Sequence, residues 1–211
     1  MSLPGSIRTE PVRVLMVPGL HDSGPGHWQT HLQHGLRGAV RVQQDDWSAP
    51  VLERWVQRID QTLAREKPGP WVAVAHSFGC LALVRWLQTA QLRGERRDGA
   101  AGKGVHAALL VAPADPLKFG VVEALPCEPL RISSTLVASR SDPWMGFGSA
   151  VTWSRAWGSR LVDMGDAGHI NVASGHGPWP LAKQLVERKI QGLHRDRRLE
   201  RAHPMELSFA I

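Results

Sequence analysis

Two kinds of apolar pattern alternate along the chain. Short runs rich in β-branched residues, such as "VRVLMV" at 12–17 and "WVAVA" at 71–75, have the length and composition of buried parallel strands. Longer segments place apolar residues at helical spacing. In the segment 48–67 these are Leu52, Trp55, Val56, Ile59 and Leu63. The strands predicted in this way are 12–17, 39–43, 71–75, 105–113, 134–139 and 160–164, and the helices are 27–36, 48–67, 80–92, 149–157 and 179–193.

This order of elements predicts the fold class. Strands alternate with helices nearly throughout, which is typical of a parallel sheet covered on both faces. We predict a three-layer α/β/α sandwich around a mostly parallel sheet of about six strands. Because no internal repeat or second domain is evident, residues 1–195 are predicted to form one domain, followed by a basic C-terminal tail at 196–211. Reactive side chains are expected on loops at the carboxyl ends of strands.

Composition indicates an ordinary globular chain. Of its 211 residues, 43% are hydrophobic and 21% are charged. No apolar window is long enough to span a membrane, and the N-terminal segment lacks the basic and apolar regions of a signal peptide. Cys80 and Cys127 do not form a C-x-x-C pair and are predicted to be free thiols. These features together predict a cytoplasmic protein without a membrane partner.

The net charge of +6 raises the question of nucleic-acid binding. Much of the excess lies in "RGERRD" at 93–98 and "HRDRRLERAH" at 194–203. Neither run contains the aromatic residues that stack on bases, so both are predicted to be solvated surface and no nucleic-acid partner is expected. A nucleic-acid binder that uses the basic tail remains an alternative hypothesis.

Ser77 stands at the joint between a predicted strand and a predicted helix. Residues 75–79, "AHSFG", match the nucleophile elbow pattern G-x-S-x-G, with Ala75 in the first glycine position. The turn needs small residues two before and two after the serine because the strand and helix backbones nearly touch there. Ser77 is therefore a candidate nucleophile, and a structural helix cap is the alternative.

A serine nucleophile needs a base, and the base needs an acid that orients it. In a hydrolase of this architecture they follow in the order Ser, acid, His. Asp142 comes just after the strand 134–139, and His169 comes just after the strand 160–164. These two residues are the preferred acid and base. The rival acids are Asp115, Asp163 and Asp166.

Backbone N–H groups are the predicted oxyanion donors. One is the N–H of Phe78, the residue after the candidate nucleophile, and the other is the N–H of Leu20 in the loop after the first strand. Gly19 would let that backbone come close. A glycine-rich turn without this function is the alternative. His21, Trp144 and Phe147 are candidates for the substrate pocket.

Three histidines raise the question of a metal site. His27, His31 and His34 have spacing that could place them on one helix face, but there is no H-E-x-x-H motif and no evident third ligand for a catalytic zinc. We expect a polar helix face, and no metal. Trp55, Trp71 and Trp86 occupy apolar positions of predicted elements and are expected in the core.

The chain resembles the α/β-hydrolase superfamily, and more closely the small serine-hydrolase family of retinoblastoma-binding protein nine and the bacterial YdeN-type proteins. The stretches that carry the resemblance are "VLMVPGLHDSGPGHWQTHL", "DDWSAPVLERWV", "VAVAHSFGCLALVRWL", "VASRSDPW" and "GHIN", which together run from about residue 12 to 190. Pro18 stands where the wider superfamily has a histidine. A backbone oxyanion donor does not depend on that side chain.

The resemblance implies a compact hydrolase with little lid, with Ser77 as nucleophile, Asp142 as acid and His169 as base. It also implies esterase-like activity on a small acyl substrate. The expected reaction needs no cofactor. A protein-interaction module that kept the fold without the activity is the alternative function. The oligomeric state is left open.

Overall fold

The structure, a computed structural model, describes residues 10–92 and 104–206, with side chains up to residue 199. The run 93–98 lies outside the described residues. The strands are β1 (Arg13–Val17), β2 (Val40–Arg41), β3 (Pro70–His76), β4 (Gly104–Val111), β5 (Ser133–Ala138) and β6 (Arg160–Asp163). The α-helices are α1 (Trp28–His34), α2 (Leu52–Ala64), α3 (Phe78–Leu92), α4 (Phe147–Ala156) and α5 (Pro180–Glu206).

The six strands form one sheet in the order β2-β1-β3-β4-β5-β6, and every neighbouring pair is parallel. The predicted parallel α/β fold is confirmed. The chain leaves β1 towards one edge to form β2 and returns on the other side of β1 as β3. Ligands bind in such sheets at the point where the strand order reverses. The crevice between the ends of β1 and β3 is therefore the expected place for a site.

Alternation of side chains along each strand divides the core into two layers. In β3, Ala73 and Ala75 face the layer that contains α2, α3 and α4, whereas Val72 and Val74 face the layer that contains α1 and α5. Both faces of the strand are covered, which explains why its sequence is continuously apolar instead of alternating. The three tryptophans predicted in the core, Trp55, Trp71 and Trp86, are buried.

The clearest difference from the predicted elements is at α5. Its expected end was residue 193, but the helix continues to Glu206 and so crosses the predicted boundary between the domain and the tail. Arg197, inside this extension, is buried, and its Nη1 donates to the carbonyl oxygen of Glu10 at 2.8 Å. The extension is polar, and apolar spacing alone therefore did not reveal it.

Short 3₁₀ helices were also missed, because elements of three or four residues carry little periodic pattern. They lie at Pro116–Phe119, Val122–Ala124 and Val172–Ser174. In the described part of the chain, no helix is both long enough and apolar enough to cross a bilayer.

Candidate active site

Ser77 occupies a sharp turn between β3 and α3. Its φ of +52° is in the left-handed region, which a non-glycine residue adopts only at an energetic cost. The N–H of Ser77 donates to the carbonyl oxygen of Val111 at 3.1 Å, which anchors the turn to the neighbouring strand β4. Helix α3 begins at the next residue, Phe78. The side chain of Ser77 therefore leaves the sheet at its carboxyl edge, as the elbow pattern predicts.

Two glycines make this turn possible. A β-carbon on Gly19 would lie 2.7 Å from Cβ of Ser77, so the loop after β1 can pass the serine only without a side chain there. A β-carbon on Gly79 would collide with the backbone at the end of β1. Ala75, in the position that is glycine in the usual pattern, is completely buried in β3. The close approach that the motif requires is thus present with alanine.

Ser77, His169 and Asp142 form a chain of hydrogen bonds. The Nε2 of His169 lies 2.9 Å from Oγ of Ser77, and its Nδ1 lies 2.9 and 3.0 Å from the two carboxylate oxygens of Asp142. The side chains of His169 and Asp142 are only 9% and 3% exposed. The geometry allows a proton to pass from the serine to the imidazole while the carboxylate holds the ring in place.

The loops that carry the acid and the base are tied together. Oγ of Ser139 accepts a hydrogen bond from the N–H of Ala167 at 2.9 Å, and Oγ of Ser141 accepts one from the N–H of Gly168 at 3.0 Å. These bonds fix the separation between the loop after β5 and the loop after β6. The relative position of Asp142 and His169 is therefore set by these serine-to-backbone hydrogen bonds as well as by their own pairing.

The rival acids have other surroundings. Asp115 accepts the N–H of Leu117 and so caps the 3₁₀ helix that follows it. Asp163 pairs with the guanidinium of Arg140 at 2.7 Å, which holds the pKa of that carboxyl below its usual value. Asp166 is exposed. Asp142 is the acid that the structure brings to His169.

The loop after β1 brings Leu20 beside the serine turn. The N–H groups of Leu20 and Phe78 donate to no acceptor among the described residues, so both are available to an oxygen atom of a ligand. The loop is strained, because His21 and Asp22 both have positive φ angles, of 64° and 60°. The N–H of His21 is held by the carbonyl oxygen of Trp47 at 2.9 Å.

Arg41, at the end of β2, stabilises this loop, and sequence reasoning missed it. Its guanidinium donates to Oδ1 of Asp22 at 2.9 Å and to the carbonyl oxygen of Ser23 at 2.8 Å. It also donates to Oγ1 of Thr30 at 2.7 Å and to Oε1 of Gln33 at 2.8 Å. Four directed bonds from one largely buried side chain link the loop to α1.

A cavity of about 380 Å³ opens above Ser77. Two of the three predicted pocket residues, His21 and Trp144, line it, together with Phe119, which was not predicted. The rings of Phe119 and Trp144 stack at a centroid distance of 6.2 Å and form one wall. The described residues around the cavity are Leu20, His21, Asp22, Gly24, His27, His76, Ser77, Phe119, Trp144, His169, Asn171, Val172 and Ala173.

Phe147, the third predicted pocket residue, is not among the described residues that line this cavity. It is the first residue of α4, where its ring packs against the core and lies 5.4 Å from the guanidinium carbon of Arg140. Trp144 lies in the loop after β5 and lines the cavity, whereas the ring of Phe147, three residues later at the start of α4, packs against the core. Proximity in sequence to Asp142 did not determine which aromatic ring borders the site.

The three histidines considered as metal ligands do not share one environment. His27 is buried and is the N-cap of α1, where its Nδ1 accepts the N–H of Gln29 at 3.1 Å, whereas His31 and His34 are exposed. Burial, with a smaller effect from Arg41, lowers the pKa of His27 to about 4. Among the described residues no cluster of three or more His, Cys, Asp or Glu side chains could hold a metal ion.

Two buried side chains flank the serine turn in sequence. His76 is buried, and this burial holds the pKa of its imidazole well below the usual value. Cys80 is also buried, and burial raises the pKa of its thiol well above the usual value. A thiol of this kind stays protonated and is a poor nucleophile.

Comparison with known proteins identifies the family of this chain. A family model described as serine hydrolase matches residues 14–188. Among curated proteins, none matches the chain.

Solved structures include close neighbours. A protein from Pectobacterium atrosepticum assigned as a YdeN-like hydrolase is 34% identical, with 87% of this chain and 92% of that chain covered and a TM-score of 0.78. The ydeN gene product of B. subtilis is 18% identical, with 84% and 97% covered and a TM-score of 0.67. The esterase domain of a Rhodothermus marinus protein is 13% identical, with 88% and 89% covered and a TM-score of 0.60. The last two similarities concern the fold alone.

The family model covers well over half of the chain, and the Pectobacterium protein is more than 30% identical over most of both chains. Together with the strand–turn–helix geometry at Ser77, these matches establish the family. The chain belongs to the serine hydrolase family and is a serine hydrolase with the α/β-hydrolase fold.

Proposed function

We propose that this enzyme hydrolyses a small carboxylic ester, or a comparable amide, through an acyl-enzyme formed on Ser77. The observation that carries the proposal is the continuous hydrogen-bonded chain from Ser77 through His169 to Asp142, with Nε2 of His169 2.9 Å from the serine oxygen. Ser77 and His169 line a cavity of about 380 Å³, which is near the low end of the range for small-molecule sites.

In the first half of the reaction, Nε2 of His169 accepts the proton of Ser77 as Oγ attacks the carbonyl carbon of the substrate. The C–O bond of the acyl group becomes single, and its oxygen acquires the negative charge. Protonated His169 then donates the same proton to the leaving alcohol as the bond to the leaving group breaks. Asp142 stays ionised and stabilises the imidazolium across two short contacts of 2.9 and 3.0 Å.

In the second half, His169 accepts a proton from water, and the resulting hydroxide attacks the acyl-enzyme. The proton returns to Oγ of Ser77 as the carboxylic acid leaves. In both halves we assign the N–H groups of Leu20 and Phe78 to the oxyanion. Donors of this kind lower the barrier because they interact most strongly with the charge that forms in the transition state.

The cavity wall of Phe119 and Trp144 suits an apolar acyl or alkoxy group of limited size. Trp144 is 45% exposed, and the wall is therefore at the mouth of the cavity and open to a substrate from solvent. Val172, on the 3₁₀ helix Val172–Ser174, borders the cavity from the opposite loop. We therefore assign a short-chain substrate to the site.

The test is labelling with a fluorophosphonate probe, in which Oγ of an activated serine displaces fluoride from phosphorus. We expect the wild type to be labelled, and Ser77→Ala and His169→Ala to lose labelling. The matched control is His31→Ala, an exposed histidine of α1 that should label as the wild type does. Equal labelling of wild type and Ser77→Ala would exclude Ser77 as the nucleophile. A series of short p-nitrophenyl esters then measures turnover, where loss of Ser77 should lower kcat by at least about 10⁴-fold.

A further inference from the structure

The dipeptide His76-Ser77 holds His169 at two points. Oγ of Ser77 lies 2.9 Å from Nε2 of the His169 ring, and Nε2 of His76 lies 3.0 Å from the backbone carbonyl oxygen of His169. The two imidazole rings are 4.9 Å apart between centroids. Thus one residue of the pair contacts the reactive ring and the residue before it contacts the main chain that carries this ring.

The contact at His76 defines its protonation. A carbonyl oxygen can only accept a hydrogen bond, so Nε2 of His76 carries the hydrogen. The ring is buried near the rings of His169, His27 and Trp28, with centroid distances of 4.9 Å to His27 and 5.9 Å to Trp28. Burial favours the neutral ring, and the neighbouring histidines act in the same direction.

The backbone around His169 needs such support. Gly168 and Ile170, on either side of it, both have positive φ angles, of 56° and 47°. Ile170 is β-branched and buried, and this conformation is costly for such a residue. The carbonyl oxygen of Ile170 is held by Nε1 of Trp28 at 2.9 Å. Buried N–H groups of His76 and Trp28 thus donate to the carbonyl oxygens of two consecutive residues in a strained loop.

We propose that His76 is a positioning residue for the hydrolytic reaction: its Nε2–H, bonded to the carbonyl oxygen of His169, fixes the distance from the His169 ring to Ser77. The role rests on the proposed function, since it acts through the group that takes the serine proton. The contact that carries this role is with the main chain of His169 and not with the reacting atoms. The hydrogen bond from His76 links the end of β3 to the loop after β6, two segments that are 93 residues apart in the sequence.

Two amide variants separate this role from mere core packing. In His76→Gln, the amide nitrogen is as many bonds from the β-carbon as Nε2 of histidine and can still donate to the carbonyl of His169. In His76→Asn, the amide nitrogen corresponds to Nδ1 and falls short. Both variants are neutral, polar and unable to titrate. We expect kcat of His76→Asn on p-nitrophenyl acetate to fall roughly 10- to 100-fold with KM within about twofold, because misplacement of a reacting group acts on the chemical step.

His76→Gln is expected to retain kcat within about threefold of the wild type. Its rate of labelling by the fluorophosphonate probe should also stay close to the rate of the wild type. Its pH–rate profile should match that of the wild type, because a neutral ring at position 76 contributes no titration. The titratable groups whose charge acts on that ring are His27, His169 and His176, and all three are retained.

The outcomes are distinct. If the wild type labels but the two variants are equally active or equally impaired, the positioning role is overturned while the proposed function stands. A shifted pH–rate profile in His76→Gln would also overturn it and assign His76 a role in proton transfer. If the wild type itself does not label, the proposed function fails and this role fails with it. Thermal unfolding of both variants controls for folding, and an Asn variant as stable as the Gln variant but slower supports the proposal.

Discussion

Gly79 passes so close to Pro18 that a β-carbon on Gly79 would lie 2.2 Å from the carbonyl oxygen of Pro18 and 2.5 Å from that of Val17. Both obstacles are backbone atoms at the end of β1, so neither can swing away as a flexible side chain could. Helix α3 can pack its first turn against that strand only while residue 79 has no side chain. This contact places the loop after β1, which carries Leu20, beside the serine turn.

Gly79→Ala should therefore destabilise the enzyme even though alanine is the better helix former. We expect the free energy of unfolding to fall by at least about 2 kcal/mol, because an added methyl group with no space forces backbone shifts. Urea denaturation measures the effect. The matched control is Gly192→Ala in α5, where a β-carbon meets no atom within 4 Å. That variant should gain about 0.5–1 kcal/mol. Equal effects in the two variants would contradict the close approach.

Asp142→Asn tests the assignment of the acid. An asparagine at 142 can present its amide group to Nδ1 of His169 and stabilise the wrong tautomer, so kcat should fall about 10³- to 10⁴-fold at unchanged stability. The measurement is steady-state hydrolysis of a short ester together with thermal unfolding. Asp115→Asn is the control, because that carboxylate caps the 3₁₀ helix Pro116–Phe119 through the N–H of Leu117. It should lose little activity, and the reverse ranking would reassign the acid to Asp115.

Trp144→Ala should alter substrate choice. The variant removes one of the two rings of the aromatic wall and enlarges the mouth of the cavity. We therefore expect KM for short esters to rise severalfold and longer acyl chains to be accepted relatively better. Phe147→Ala is the comparison, since Phe147 does not border the cavity. It should leave the chain-length preference unchanged. Kinetics on an acyl series from acetate to decanoate gives the answer. A change of preference in Phe147→Ala and none in Trp144→Ala would place the wall elsewhere.

Acid should destabilise the fold partly through His27. Its pKa in the folded protein is about 4, below the ordinary 6.5, so the folded state favours the neutral ring. The stabilisation that the neutral His27 ring contributes to the fold is complete above pH 6.5. It is lost as the pH falls from there towards 4, because the unfolded chain takes up the proton first. The loss should reach roughly 3 kcal/mol. Urea denaturation at pH 7, 5.5 and 4.5 measures it.

His27→Asn is the control for that loss. Asparagine is a good N-cap and can keep the bond to the N–H of Gln29, but it does not titrate in this range. The variant should show a shallower fall in stability between pH 7 and 4.5. If its pH dependence matches that of the wild type, His27 is not a source of the acid sensitivity.

Much of the fold was predictable because its signals are local. A strand such as β3, buried on both faces, reads as a continuous apolar run, and parallel pairing then follows from the alternation with helices. The candidate residues Ser77, Asp142 and His169 were predictable for a related reason. Each follows a predicted strand, and the carboxyl ends of parallel strands meet at one edge of a sheet.

The parts that were missed depend on contacts between distant segments or on weak local signals. The bond from His76 to His169 depends on two loops of unusual backbone conformation, which no apolar spacing encodes. The orientation of Phe147 depends on where α4 begins relative to the turn after β5. The extension of α5 carries few apolar residues, and the helix there is held in part by the burial of Arg197.

The strand order has a consequence for engineering. The groups assigned to proton transfer follow β3, β5 and β6, whereas the loop that carries Leu20 follows β1 and is tied by Arg41 to the opposite half of the sheet. The proton-transfer groups and the loop that supplies the Leu20 N–H thus come from different strands. Replacing the side chains of Leu20 and His21, which line the cavity, with Gly19, Asp22, Ser23 and Arg41 kept, offers a route to new selectivity in which the reactive trio is inherited intact.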